Sequence, residues 1–378
     1  MRTNENSQLD AVFALLQTLP MNLVSYTMIP QNRIKCLALK TVHTLALAAI
    51  LGGSAYAQAR HGTLESSIHY NSLAISPDGR TAVASCSERP DVIIYDLEAK
   101  QVRGLLNHFI TPRDIQFDPT GRYFYVSDSS LGVIKKIDAD SLKTISVLLA
   151  SPGPFGTTIS NDGRTLYVNN EAASIVTIFD LASGRPIAHI NPYSQPRTGT
   201  RHSPDKSLLY VIDFWDDAVD IVNTSTEQIA EQISGFSKIR AISVTQDGKT
   251  LFAANSGTDT IAVVNLSSRS IIATIPVGRT PHGVALSPDE QFAYVGNLTD
   301  NTVSVVALSS FQVIATICGF NEPAQAIAFA RDGSNAYVLN SDLSVSIVNL
   351  KTNRIVSTIL PRSNVETAGI SAVEGEIQ

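Results

Sequence analysis

The chain has 378 residues, of which 44% are hydrophobic, 16% charged and 7% aromatic, with a formal net charge of −6. That composition supports a packed core and excludes an intrinsically disordered chain. The net acidity argues against a protein that grips nucleic acid through overall charge, and three cysteines are too few for a disulfide framework.

The first feature in chain order is an export signal. Residues 33–59 read RIKCLALKTVHTLALAAILGGSAYAQA. Arg33, Lys35 and Lys40 form a basic region, and 44–51 is an apolar run too short to span a bilayer. Ala55-Tyr56-Ala57 and Ala57-Gln58-Ala59 both have the small-x-small form that signal peptidase needs. Cleavage is expected after Ala57 or Ala59, which gives a periplasmic or secreted protein with no membrane span in the mature chain. The order of these three features disfavours the alternative, a buried helix of the mature fold. Residues 1–27 precede a signal that could itself begin at Met28, so the true start is open. Cys36 lacks the small-residue context of a lipoprotein signal. Residues 1–57 carry four basic and two acidic groups, so the mature chain has a formal charge of −8. The chain divides into an extension and signal peptide, 1–59, and a mature domain, 60–378.

The mature domain is a sevenfold repeat. One motif appears as SPDGRT (76–81), DPTGRY (118–123), SNDGRT (160–165), SPDKSL (203–208), TQDGKT (245–250), SPDEQF (287–292) and ARDGSN (330–335). A second position, following each Tyr-Val-like pair, holds Cys86, Asp128, Asn170, Asp213, Asn255, Asn297 and Asn340, at steps of 42, 42, 43, 42, 42 and 43 residues. The repeats run approximately 71–108, 109–151, 152–192, 193–236, 237–278, 279–320 and 321–360. Each carries four short strand signals rich in Val, Ile, Ala and Thr, which in the sixth fall at 282–286, 292–296, 302–307 and 313–317. In the turn between the first two, Pro pre-sets φ, Asp bonds nearby backbone and Gly takes the left-handed conformation. Four strands in about 42 residues is the arithmetic of a propeller blade. The fold class is therefore all-β, a seven-bladed β-propeller with four antiparallel strands per blade. For ring closure, 63–68 resembles a fourth strand and 369–373 a first strand. Because the seventh repeat already has its own fourth strand at 354–360, the N-terminal segment is the favoured addition to the last blade.

YVNN (167–170), YVGN (294–297) and YVLN (337–340), with SPDG-type turns and the third strand NTVSVV, resemble the YVTN-repeat propellers, which include surface-layer and YncE-like periplasmic proteins. The likeness covers about 63–360. It implies the fold strongly and a function weakly, since related propellers include lactonases, virginiamycin-type lyases and haem- or quinone-bearing oxidoreductase domains.

In such a propeller the first strand of each blade starts at one rim of the central channel, where ligands sit. The residues expected to open those strands are Asn71, Arg113, Phe155, Arg197, Arg240, His282 and Gln325. In the fourth repeat a one-residue slip would put Thr198 in place of Arg197. The series from Cys86 to Asn340 should close each second strand on the same rim. Three arginines and a histidine converging on an otherwise acidic protein suit a carboxylate or phosphate ligand. The competing reading pairs each Arg with Asp128 or Asp213 in a structural ion network. The asparagines suit the bend after a strand, where they cap backbone groups.

His282 is the one weak catalytic candidate, since only His69 and His108 lie near it, in loops. Glu88, Glu171 and Glu322 flank the ring without occupying it, so no metal site is expected. No CxxCH for covalent haem occurs, and the identity of any cofactor is left open. Trp215, within Asp213-Phe214-Trp215-Asp216-Asp217, could stack on a flat ligand or anchor a partner, or pack down as part of a solvated loop. Cys86 reads as a small buried residue, placed too far from Cys318 to bridge. No G-x-S-x-G, HExxH, P-loop or dinucleotide motif is present.

The leading functional expectation is an exported, monomeric binding propeller without catalysis, taking a small anion or a protein partner at its mouth. The alternatives are an enzyme of lactonase, lyase or isomerase type using His282 and the arginines, a cofactor carrier, and a single-stranded nucleic-acid binder, the last not favoured.

Overall fold

Every repeat is folded back on itself by the same hinge. In the first, Ser76 Oγ donates to Asp78 Oδ1 at 2.5 Å, Asp78 accepts from the Arg80 N–H, and Gly79 closes the turn at φ +78°. The Ser/Thr–Asp pair recurs as Ser160–Asp162, Ser203–Asp205, Thr245–Asp247 and Ser287–Asp289, each at 2.6 Å. These bonds hold the turn carboxyls below the usual aspartate range. The positive φ is taken by Gly in most turns, and by Lys206 and Glu290 where Gly is missing.

The computed structural model describes residues 70–323 and 326–361. They form twenty-eight strands, β1–β28 in chain order, grouped as seven antiparallel sheets of four consecutive strands. Blade one is β1 (Asn71–Ile75), β2 (Thr81–Cys86), β3 (Val92–Asp96) and β4 (Gln101–Leu106). The first strands of the other blades are β5 (Pro112–Phe117), β9 (Pro154–Ile159), β13 (Arg201–His202), β17 (Ile239–Val244), β21 (Pro281–Leu286) and β25 (Ile327–Phe329). First strands of neighbouring blades pack on one another and ring the axis, while fourth strands such as β4 alternate exposed and half-buried positions on the outside. In the sixth blade the strands span Pro281–Leu286, Phe292–Asn297, Thr302–Ala307 and Gln312–Cys318, within about a residue of the expectation.

The two faces of each sheet pack against different neighbours, because successive side chains on a strand point to opposite sides. On β2, Val83 joins a core with Ile115, Phe124 and Val126 of blade two, whereas Ala82, Ala84 and Cys86 join Tyr337, Leu339 and Ile347 of blade seven. Seven such cores lie one between each pair of adjacent blades. No blade could bury both faces alone, so the ring is the unit of stability.

The ring closes by packing, without a shared strand among the described residues. Blade seven is built from β25, β26 (Asn335–Leu339), β27 (Val345–Asn349) and β28 (Arg354–Ile359), all in chain order. The two candidate closing segments, 63–68 and 369–373, lie outside the described residues. At the seam the fully buried Tyr95 on β3 donates its hydroxyl to the Leu343 carbonyl at 2.5 Å. Cys86 is buried in this seam core and Cys318 is exposed on blade six, both as free thiols.

Candidate functional site: the channel mouth

The ladder between first and second strands slips at the rim. In blade two the register passes from Pro112↔Asp128 to Ile115↔Val126, in blade five from Ile239↔Asn255 to Ala241↔Ala254, and in blade six from Pro281↔Asn297 to Gly283↔Gly296. The residues left out of the pairing include Arg113, Arg240 and His282. Such a bulge turns a side chain out of the sheet. Pro112, Pro154 and Pro281 start their strands, where a missing N–H costs no ladder bond.

Arg113, Arg197 and Arg240 converge, and the group they meet is Tyr70, which the sequence reading did not single out. Arg197 Nη1 donates to the Tyr70 hydroxyl at 2.7 Å and Arg240 Nη1 at 3.3 Å. The Arg113 guanidinium lies 5.2 Å from the centre of the Tyr70 ring and 4.7 Å from that of Phe155. Tyr70 meets Phe155 edge-on at 4.9 Å. Phe214, also not singled out, lies beneath two of the cations, with ring-centre distances of 3.8 Å to Arg197 and 4.6 Å to Arg240. These aromatic faces replace part of the water that three adjacent cations lose.

Each arginine is oriented through Nε by the residue just after a second-ring position. Arg113 Nε donates to Ser129 Oγ at 3.1 Å and Arg240 Nε to Ser256 Oγ at 3.2 Å. Arg197 Nε donates to Glu171 Oε1 at 3.0 Å, an oxygen that also accepts from Gln195 Nε2 at 2.6 Å. Burial pulls the Arg113 guanidinium below its ordinary value, Arg197 adds to that effect, and Glu171 and Tyr70 oppose it. Among the described residues no hydrogen-bond acceptor engages Arg113 Nη1 or Nη2. A cation so placed gains by accepting an anion.

The second-ring carboxylates do not pair with the arginines, which corrects the ion-network reading. Asp128 is fully buried and accepts from the backbone N–H groups of Ile110 (2.7 Å), Thr111 (3.1 Å) and Leu131 (3.1 Å). Asp213 accepts from Ser194 N at 2.7 Å and Gln195 N at 2.6 Å. Asn340 accepts from Asn321 N at 3.0 Å. These three side chains cap the loops entering blades two, four and seven, whereas Asn297 donates instead to Thr302 and Ser304 of its own blade.

The remaining candidates separate. His282 is fully buried on β21, and Phe155 is buried beneath Tyr70. Asn71 is buried, with no donor reaching its Oδ1 among the described residues. Trp215 is half-buried against Phe214 at 5.4 Å. Counting back from the turns puts Thr198 level with Arg240 and Arg197 one residue outside, yet it is Arg197 that reaches Tyr70. Gln325 lies outside the described residues. Among the described residues no three His, Cys, Asp or Glu side chains gather as a ligand set, and no helix is long and apolar enough to cross a membrane.

Seven four-stranded blades around a channel with a polar mouth define a propeller protein. The family model for the seven-bladed β-propeller lactonases matches residues 54–228 and 195–313, and the chain belongs to that family. It matches none of the curated proteins. Among solved structures it is similar to a chain of Kuenenia stuttgartiensis hydrazine synthase. Identity is 19% and the TM-score 0.68, over 76% of this chain and 99% of that one, a likeness of fold alone.

Proposed function

We propose that this protein is an exported propeller of the YVTN, YncE-like kind that binds a small carboxylate- or phosphate-bearing molecule at the channel mouth. The observation that carries the reading is the cluster of three guanidinium groups around Tyr70, with the Nη edge of Arg113 uncommitted among the described residues. Its Nε is anchored on Ser129 and its plane lies against aromatic rings, so the cation is pre-oriented and little ordering remains for a ligand to impose. Export rests on the basic–apolar–small-residue order of 33–59. Calorimetric titration with gluconate and with inorganic phosphate tests the site. Binding should weaken about tenfold in Arg113→Gln, the equivalent of one charge-assisted contact. Equal affinities of variant and wild type would refute the assignment.

Family membership favours a second reading, hydrolysis of a lactone at the same mouth. Water would add to the lactone carbonyl, the ring C–O bond would break, and the new carboxylate would lie against the arginines. Glu171, which touches the arginine cluster through Arg197 Nε, is the candidate base for that chemistry. Continuous proton release from gluconolactone, compared with the uncatalysed rate, decides between the readings. Acceleration lost in Glu171→Gln would make the protein an enzyme, and a rate equal to the buffer's would leave binding alone.

A further inference from the structure

Below the mouth, the channel contains a fourth guanidinium that the rim does not use. Arg201 lies on β13, an innermost strand, yet its side chain is exposed. Its only hydrogen bond among the described residues is from Nη1 to the neighbouring Thr200 carbonyl, at 2.9 Å. It forms no ion pair with any described residue. It does sense Asp114 electrostatically, from blade four to blade two. Asp114 is itself an inner-strand residue. Its Oδ1 accepts from Ser72 Oγ of blade one at 3.0 Å, and its Oδ2 accepts from Thr157 N and Oγ1 of blade three at 2.7 and 2.9 Å. Two side chains on innermost strands, two blades apart, can interact in this way only across the lumen. Burial lowers the Arg201 pKa even though the side chain is exposed, as expected of a cation standing in a narrow, poorly hydrating channel.

We infer that Arg201 is a distal anion-binding point, so that the preferred ligand is an elongated dianion with one acidic group on the mouth arginines and the other on Arg201. Counted from the equivalent turn residues Ser203 and Thr245, Arg201 lies three residues deeper than Arg240, roughly 10 Å along a strand. That spacing sets the length the ligand must span. Asp114 is the competing charge at this depth. Its two oxygens are already engaged by Ser72 and Thr157, and burial raises its pKa, which reduces the negative charge that a ligand would meet.

This inference rests on the mouth reading, and its test keeps the two apart. Binding of linear dicarboxylates of increasing length, each beside the monocarboxylate of equal length, is measured by calorimetry on the exported protein. Wild type should show an optimum length, at which the dicarboxylate binds about tenfold more tightly than its monocarboxylate. Arg201→Gln should remove that advantage and leave monocarboxylate binding unchanged. Arg201→Lys should keep part of it, which also guards against a loss caused by misfolding. Arg113→Gln should weaken both series. Equal binding of both series by wild type, with Arg113→Gln still weaker, would overturn the distal site and leave the mouth standing. Failure of both series to bind would overturn both. Preference for an ω-amino carboxylate over the dicarboxylate would make Asp114 the distal contact and overturn the assignment to Arg201.

Discussion

Replacing His202 by phenylalanine should stabilise the protein at neutral pH, and stabilise it further relative to wild type as the pH falls toward 4. His202 follows Arg201 on β13 and lies edge-on to Tyr167 of blade three at 5.1 Å. Both ring nitrogens are buried without a hydrogen-bond partner among the described residues, and the matching residues of other blades are apolar, among them Ile75, Phe117 and Ile159. Removing the two unsatisfied atoms should therefore add about 1 kcal/mol at pH 7. Burial, with a smaller effect of Lys206, lowers the histidine pKa from 6.5 to about 4. Because the folded pKa is depressed, the unfolded chain holds the extra proton between those values, and wild-type stability falls with pH across that window. The loss approaches 3 kcal/mol by pH 4, and His202→Phe should be spared it. Asp220, on β15 (Ala218–Asn223) of the same blade, has the opposite sign. Burial, aided by Asp213 and Asp216, raises its pKa from 3.8 to about 6 despite the hydrogen bond from Gln232, so the folded state holds the extra proton and acid stabilises it. Asp220→Asn should thus lose its advantage over wild type as the pH falls from about 6 to 4, by about 2–3 kcal/mol. Asp114 and Asp213 are also raised by burial and act with the sign of Asp220, so the informative quantity is the difference between variant and wild type at each pH. Urea unfolding followed by Trp215, the only tryptophan, between pH 7 and 4 supplies it. A His202→Phe difference that stays constant over this range would refute the reasoning.

Tyr95→Phe removes the hydroxyl bond across the seam between blades one and seven, and should cost about 1–3 kcal/mol in thermal or urea unfolding. Tyr123→Phe, at a half-buried tyrosine whose hydroxyl bonds to none of the described residues, should be neutral in comparison. Asp128→Ala strands three backbone N–H groups and should cost about 2–4 kcal/mol, with partial rescue in Asp128→Asn and no specific effect on ligand affinity once folded. Alkylation of the folded protein should modify Cys318 and spare Cys86, whose thiol pKa burial pushes up, until denaturant is added. Mass spectrometry of the digested protein reads this directly.

Much of the fold could be read in the sequence because its strongest signals are local and repeated. SPDG turns and Val/Ile alternation specify strand, turn and strand without long-range information, and a 42-residue period multiplies them by seven. Part of the second ring was legible for the same reason, since Asp128, Asp213 and Asn340 cap adjacent backbone whatever lies across the channel. The mouth was half legible. Arg113, Arg197 and Arg240 stood out as rim residues, but their partners depend on side-chain reach around the ring. Tyr70 precedes the first repeat residue and so fell outside the repeat, although it occupies the position held by Pro112, Pro154 and Pro281 in other blades. Phe214 was read only as the neighbour of Trp215. Arg201 was hidden by the irregular fourth repeat, where β13 has only two residues.

Among the described residues, each blade is one unbroken stretch of chain, and the seam between the last and first differs from the other six boundaries only in lacking a covalent link. The loops between blades are therefore interchangeable as places for the chain to begin. A gene cut at any of them and rejoined through a linker at the seam would encode the same seven sheets and seven interleaved cores. Growth or loss of the ring by whole 42-residue units would likewise leave every sheet intact, changing only the channel width and the number of side chains around its mouth. Ligand choice in such a protein can therefore be altered by exchanging single rim residues or by counting blades, with little disturbance to the packing that holds the ring together.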